Sequence, residues 1–306
     1  MRITPVDTHY VRPRMDASHL LESGGRAAFV DTGTDHSIPH LLAALAAAGL
    51  SPECVDFILL THIHLDHAGG AGGLARVLPH ATVVVHPRGA AHLRDPAKLI
   101  AATRTVYGDA NFERLYGKIE AVPAERLLAV EDGHRLTLGA QELELIHTPG
   151  HALHHLCIVD RASGVVFAGD TFGVSYRELD TEAGEFILAT TTPSQFDPAQ
   201  LHASIDRILA LRPGAVYLTH YSRVEHIERL GRDLHADIDA YVTIARDCAR
   251  LPDRTARIAA RLHEHLARRL DAHGFRGADA ERHAILDGDV QLNAAGLDAW
   301  LARTAS

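Results

Sequence analysis

Thr61-His62-Ile63-His64-Leu65-Asp66-His67 carries three histidines and an aspartate in one short stretch. An apolar run, Val55 to Leu60, precedes it and reads as a buried strand. Histidines at i and i+2 leave a strand on the same side. The turn after the strand swings Asp66 and His67 to the other side of a shared cavity. Imidazole and carboxylate donors together suit zinc, iron or manganese. The chain has 23 histidines, so a single one means little. The information lies in H-x-H-x-D-H at the end of an apolar strand, followed by a glycine-rich helix start.

Three more apolar runs end on residues of the same kind. Leu145-Ile146-His147-Thr148-Pro149-Gly150-His151 sets a histidine after a strand and a Pro-Gly turn. Val165 to Gly169 leads to Asp170, and Ala215 to Thr219 leads to His220. A polar residue closing a strand is ordinary, but four such endings in this order form a pattern. Asp31, just after the apolar Arg26 to Val30 segment, is a candidate to orient an imidazole from behind. His155 is a further structural or orienting candidate. Tyr221 follows His220, and Tyr176 lies shortly after Asp170; a phenol at either place can donate to a substrate carbonyl.

Through His62-x-His64-x-Asp66-His67, Thr148-Pro149-Gly150-His151, Gly169-Asp170 and His220, the chain resembles the metallo-β-lactamase superfamily over roughly residues 16 to 222. The resemblance implies an α/β fold, a four-layer αββα sandwich with metals at one edge. It implies that His62, His64 and His151 hold one ion, that Asp66, His67 and His220 hold a second, and that Asp170 bridges both. Two divalent ions follow as cofactors, zinc first, with iron or manganese as alternatives. Paired cations about 3.5–4 Å apart activate one water and stabilise charge on the attacked oxygen. Asp66 and Asp170 are therefore the catalytic carboxylates, Asp66 orienting that water and carrying its proton.

The expected activity is attack by a metal-bound hydroxide on a small-molecule ester, lactone or thioester. The resemblance implies a hydrolase of the lactonase or glyoxalase-II-like branch. The thioester-hydrolase pattern T-P-G-H-T-x-G-H reads here Thr148-Pro149-Gly150-His151-Ala152-Leu153-His154-His155, with Ala152 and His154 replacing Thr and Gly. The segment Thr191 to Pro198 is similar to the equivalent region of lactonase relatives, although Gly173 stands where they place a tyrosine. Other readings are a phosphodiesterase on the same two metals, a persulfide dioxygenase with one iron, and a binding or regulatory protein of low turnover. Flavodiiron reductases carry Glu at the His64 position and add a flavodoxin domain.

The bulk properties agree with a globular enzyme: 46% apolar and 23% charged residues over 306 positions. A net charge of -9 argues against sequence-independent nucleic-acid binding. Three scattered cysteines form no disulfide framework and fit a reducing compartment. Met1 to Met15 has no signal-like apolar core, and no run approaches a membrane span. The expectation is a cytoplasmic protein acting on a small molecule, with neither nucleic acid nor membrane as partner.

The positioning elements follow from punctuation. Ser18–Glu22 and Arg26–Val30 form a hairpin around Ser23-Gly24-Gly25. Ile38 to Gly49 reads as a helix, as does Gly69 to Leu78. Thr82 to His86 is a strand, and residues 87 to 118 form a helical insertion. Strands follow at Leu127–Val130, Arg135–Leu138, Glu142–His147, Leu156–Val159 and Val165–Ala168. Asp197 caps a helix over Pro198–Leu211. Residues 1–224 thus form the catalytic domain and 225–306 a helical extension, broken at Leu251-Pro252-Asp253 and closing on a helical stretch from Ala278 to Arg303. That extension serves packing, homodimerisation or a lid. His9, His19, His36, His40, His92, His134, His202 and the C-terminal histidines have no ligand-like context.

Overall fold

The computed structural model describes residues 1–191 and 195–304. It divides into two compact units. The first comprises Met1–His147, His154–Gly169 and Gly214–Arg223; the second comprises Thr148–Leu153, Asp170–Pro213 and Val224–Ser306.

The first unit holds two mixed sheets of six strands. One runs β1 (Arg2–Asp7), β2 (Ala17–Ser23), β3 (Arg26–Val30), β4 (Val55–Leu59), β5 (Thr82–Val85), β6 (Leu127–Ala129) in that spatial order. β1 to β3 are antiparallel; β3 to β6 are parallel. The other sheet contains β7 (His134–Leu138), β8 (Gln141–His147), β9 (Leu156–Asp160), β10 (Val165–Gly169), β11 (Ala215–Leu218) and β12 (Ser222–Val224), again in sequence order. Its β10–β11 pair is parallel, and the pairs from β7 to β10 are antiparallel.

Side-chain alternation explains the layering. Leu20, Phe29, Ile58, Val83 and Val85 point from the first sheet into a core shared with α1 (Ile38–Ala47), α2 (Leu65–Ala68), α3 (Ala71–Val77) and α4 (Pro87–Arg94). Their neighbours Leu21, Ala28, Val30, Leu59 and Val84 point the other way, onto Leu143, Leu145, Leu156, Ile158 and Phe167 of the second sheet. A sheet buried on both faces reads as unbroken apolar runs, which is why β3 to β5 stand out in the sequence. The insertion forms α4, α5 (Ala97–Tyr107) and α6 (Asp109–Tyr116). Phe112, Leu115 and Tyr116 of α6 pack with Tyr10 and with Leu65, the residue before Asp66.

Sequence reasoning assigned no strand to Arg2–Asp7, yet this segment pairs with β2 from Arg2↔Glu22 to Asp7↔Ala17. It is an edge strand with only Val6 buried, so it lacks an apolar signature. Pro5 is tolerated there because an edge strand leaves one row of N–H groups unused. The helix expected over Gly69–Leu78 is α3, Ala71–Val77; a short helix before it, α2, was not anticipated and contains Asp66 and His67.

The second unit is mainly helical. α7 (Pro198–Ala210) starts at Asp197, whose carboxylate accepts from the Gln200 amide at 3.0 Å. α8 (Ile227–Cys248), α9 (Arg254–His273) and α10 (Asp279–Thr304) follow and pack against one another. Leu230, Leu234, Ile238, Tyr241 and Ala245 form the buried stripe of α8; Ile258, Leu262, Leu266 and Leu270 form that of α9. Between these helices, buried Asp237 accepts from His265 at 2.8 Å and from Arg269. None of the described helices is long and apolar enough to cross a membrane.

One fold-level consequence is acid sensitivity. His19 on β2 is buried against Phe167 and Tyr217, its Nε2 3.3 Å from Ser222 Oγ. Burial lowers its pKa from 6.5 to about 4. The unfolded chain therefore binds the extra proton first, and stability falls as pH drops from the ordinary histidine range towards the lowered value. Between about pH 7 and about pH 5 this costs roughly 2 kcal/mol. Urea unfolding at the two pH values should show that loss in the wild type and a smaller one in His19→Leu; equal losses would contradict it.

Candidate metal centre

The first unit gathers its candidate donors just beyond the ends of β4 and β11. Thr61 and His62 follow β4, and Thr219 and His220 follow β11. Two backbone bonds lock these ends in place. The Leu156 amide donates to the Thr61 carbonyl at 2.7 Å, and the Ala17 amide donates to the Thr219 carbonyl at 2.7 Å.

Asp31 is the hub. It follows β3 with φ +56, a left-handed conformation uncommon for a residue other than glycine. Its carboxylate is buried and accepts from the Thr61 amide at 2.8 Å, the Thr61 hydroxyl at 2.8 Å and the Thr219 hydroxyl at 2.9 Å. It also lies 2.9 Å from His67 Nδ1. A carboxylate only accepts, so His67 carries its proton on Nδ1 and turns a lone pair outward on Nε2.

The same logic applies to two more rings. Thr61 directs its hydroxyl hydrogen to Asp31, so its oxygen accepts from His62 Nδ1 at 3.1 Å. Asp16, fully buried, places Oδ1 2.6 Å from His220 Nδ1. Burial pushes the Asp16 carboxyl up to about 6 even though His220 pulls it down. In all three rings Nδ1 is engaged from behind and Nε2 is the nitrogen turned towards a ligand.

Those Nε2 atoms converge. His62 Nε2 lies 2.7 Å from His64 Nδ1. Asp66 Oδ2 lies 3.8 Å from His67 Nε2 and 3.7 Å from His220 Nε2, and the three donor atoms all fall within 4.8 Å of one another. A tetrahedral ion bound at 2.0–2.1 Å separates its ligands by about 3.3 Å. The trio therefore needs only a slight inward movement to hold a divalent cation. Asp66, 23% exposed, is its accessible member, whereas His67 and His220 are buried.

The remaining two expected donors belong to the second unit. His151 follows Gly150, whose φ is +129 and where a Cβ would sit 2.3 Å from the Leu201 amide nitrogen. Only glycine fits. The Gly150 carbonyl accepts from the Asp197 amide at 2.9 Å, and Ser204 donates to the Pro149 carbonyl at 2.6 Å. Thr190 Oγ1 lies 2.9 Å from His151 Nδ1, and His151 Nε2 faces Asp170 Oδ2 at 3.4 Å. The pattern of the first unit thus recurs: Nδ1 is tethered and Nε2 turns to a carboxylate. Before Asp170, the register of β10 on β11 shifts between Phe167 and Gly169. Gly169 has φ +47, and a Cβ there would lie 2.7 Å from both His155 Nε2 and Thr61 Oγ1.

Other candidates are placed differently. His155 is fully buried, its ring stacked 5.0 Å from that of His62, so it packs behind this histidine. His154, which replaces the Gly of the thioester-hydrolase pattern, lies in a loop with its ring 6.0 Å from His64 and 6.2 Å from His62. Tyr176 is fully buried and donates to Asp289 at 3.2 Å. Tyr221 is half-buried beneath the Arg14 guanidinium. Thr192, Pro193 and Ser194 of the lactonase-like segment lie outside the described residues. The phenols that feel the Asp66 charge are Tyr10 and Tyr116, 3.0 Å apart at their hydroxyls and raised in pKa chiefly by burial.

Sequence reasoning missed Asp16, Thr61, Thr190 and Thr219. A signal existed for two of them, because Thr-His occurs at both strand ends and both threonines serve Asp31. Asp31→Ala removes the acceptor for two hydroxyls and one ring, so the affinity of the Asp66–His67–His220 trio for zinc should fall roughly 10–100-fold. Competition against a chromophoric chelator reads this directly; unchanged affinity would contradict the hub role.

A model of the metallo-beta-lactamase superfamily matches residues 11–220. The metallo-beta-lactamase fold-containing protein ST1585 of Sulfurisphaera tokodaii is 28% identical over 186 residues, 58% of this chain and 66% of that protein. A hydroxyacylglutathione hydrolase of Acidiphilium cryptum is 28% identical over 270 residues, 87% of this chain and 88% of that protein. Several other hydroxyacylglutathione hydrolases are matched over less than two thirds of their own length. The crystal structure of TTHA1429 from Thermus thermophilus, a metallo-beta-lactamase family protein, superposes with a TM-score of 0.69 at 20% identity, covering 99% of this chain and 93% of that one. The paired mixed sheets flanked by helices, the His/Asp donor groups and the match across most of the chain agree: this chain belongs to the metallo-β-lactamase superfamily.

Proposed function

We propose that the chain is a binuclear metal-dependent hydrolase of a small carboxylic ester, lactone or thioester. In this reading His62, His64 and His151 hold one divalent ion, Asp66, His67 and His220 hold a second, and Asp170 serves both. Residues 1–224 carry the chemistry and 225–306 form an extension. The observation that carries the proposal is the common orientation of His62, His67, His151 and His220, each engaged at Nδ1 from behind with Nε2 turned to another candidate donor.

Divalent ions held by these residues would lower the pKa of a water towards about 7 and polarise the attacked oxygen. The protein supplies the rest. Asp31 and Asp16 fix the planes of His67 and His220, so no reorientation is needed during turnover. Asp66 is the most accessible member of its group; with Oδ2 turned to His67 and His220, its other carboxylate oxygen takes the proton and returns it. In hydrolysis the water oxygen bonds to the acyl carbon, the bond to the alcohol or thiol breaks, and the proton held by Asp66 passes to the leaving atom. Relatives named hydroxyacylglutathione hydrolases favour a thioester within this class.

The test is a hydrolysis panel on metal-loaded protein: acylglutathione thioesters, acyl lactones, aryl esters and an aryl phosphodiester. Turnover of a carboxylic substrate is expected, with kcat reduced about 10²–10⁴-fold in Asp66→Asn. Cleavage confined to the phosphodiester, or an Asp66→Asn variant as fast as wild type, would overturn the reading.

A further inference from the structure

The C-terminal helices hold a second cluster of metal-type donors, contrary to the expectation that their histidines have no ligand-like context. His283 and Asp287 lie one turn apart on α10, so both project from the same face. His263 comes from α9. His283 Nδ1 lies 2.8 Å from Asp287 Oδ1, His263 Nε2 lies 3.1 Å from the same oxygen, and the two imidazoles are 4.6 Å apart between centroids. One donor atom from each residue falls within 4.8 Å of the others. Leu262, Leu266 and Leu270 of α9 and Leu286 and Val290 of α10 are buried, and Leu270 and Leu286 share a cavity lining with His263 and His283.

We propose that His263, His283 and Asp287 form a divalent-cation site that clamps α9 to α10, separate from the family's centre. Two imidazoles and one carboxylate select a borderline cation of the zinc, cobalt or nickel kind over calcium or magnesium, which prefer all-oxygen shells. Tetrahedral coordination at 2.0–2.1 Å sets ligand atoms about 3.3 Å apart. The two separations from Asp287 Oδ1, 2.8 and 3.1 Å, fall a few tenths of an ångström short of that value, and the two imidazole donors lie within 4.8 Å of each other. Imidazole, with an ordinary pKa of about 6.5, is mostly neutral and available above neutrality. Space is also present: a cavity of about 220 Å³ opens beside the cluster, lined in part by His263, His283, Glu264 and Asp279. Three protein donors leave a fourth position for water from that cavity.

Because binding closes one helix on the next, the cation should stabilise the folded chain by mass action. Sequence reasoning overlooked the site because only the His283–Asp287 pair has a local spacing; its third donor arrives from another helix.

The experiment uses the full-length, metal-loaded protein with Zn²⁺ as probe. Zinc per chain is counted by mass spectrometry after equilibration above neutral pH and rapid desalting, for wild type, His263→Ala and Asp287→Ala. The expected result is one zinc equivalent fewer in each variant, together with loss of a zinc-dependent rise in melting temperature. All three residues are partly exposed, and circular dichroism verifies that the variants fold; His283→Asn gives a milder substitution that should also lose the equivalent. Equal zinc counts and equal melting shifts in wild type and variants would overturn the proposal. Hydrolysis plays no part in the readout, so the result stands apart from the reading of the main centre.

Discussion

The site rests on one buried carboxylate. Asp31 receives an amide, two hydroxyls and an imidazole, and these come from the ends of β4 and β11 and from α2. A carboxylate enclosed this way costs free energy unless its acceptor positions are filled, and here they are. The result is mechanical. With Thr61, Thr219 and His67 held by one group, the strand ends cannot drift apart, and the His67 ring can face only one way. Asp16 repeats the device for His220, and Thr190 does so for His151 within its own unit. Tethering Nδ1 settles which nitrogen of each ring is turned to chemistry.

The sheets exist, in this sense, to hold those tethers still. Both faces of the first sheet are packed, and its parallel strands stop where Asp31 and Thr61 begin. Ligands of parallel α/β sheets commonly gather at the carboxyl ends of the strands, and this chain follows that rule in its first unit. The loops beyond the strand ends carry the polar residues, while β3, β4 and β5 are almost wholly apolar. The left-handed backbone at Asp31 marks where the demands of the site override local preference.

How much was legible depends on locality. H-x-H-x-D-H was visible because its residues are adjacent in the chain. Strands β3 to β5 were visible because double burial writes an unbroken apolar run. β1 was not, since an edge strand with a single buried side chain needs no such run. Nor does the alternation of β6, β7 and β8 reveal that β6 closes one sheet while β7 opens the other. The pairing of Asp16 with His220 joins residues at opposite ends of the matched region, and nothing near Asp16 announces it. Asp31 could be suspected from its place after a strand, but its bonds to both threonines follow only from the fold. His263, His283 and Asp287 repeat the lesson in the tail, where helix packing joins a local pair to a distant third residue.

The most direct test is anomalous diffraction at the absorption edges of zinc, iron and manganese, on crystals of protein purified without added metal. The account predicts an anomalous peak at bonding distance, about 2.0–2.1 Å, from Nε2 of His67, Nε2 of His220 and the carboxylate of Asp66. Asp31 and Asp16 should remain on the opposite nitrogens. A peak bound through Nδ1 of His67 or His220, or no peak at this trio while metal is found elsewhere in the crystal, would contradict the claim that buried carboxylates preset the ring orientation for a cation.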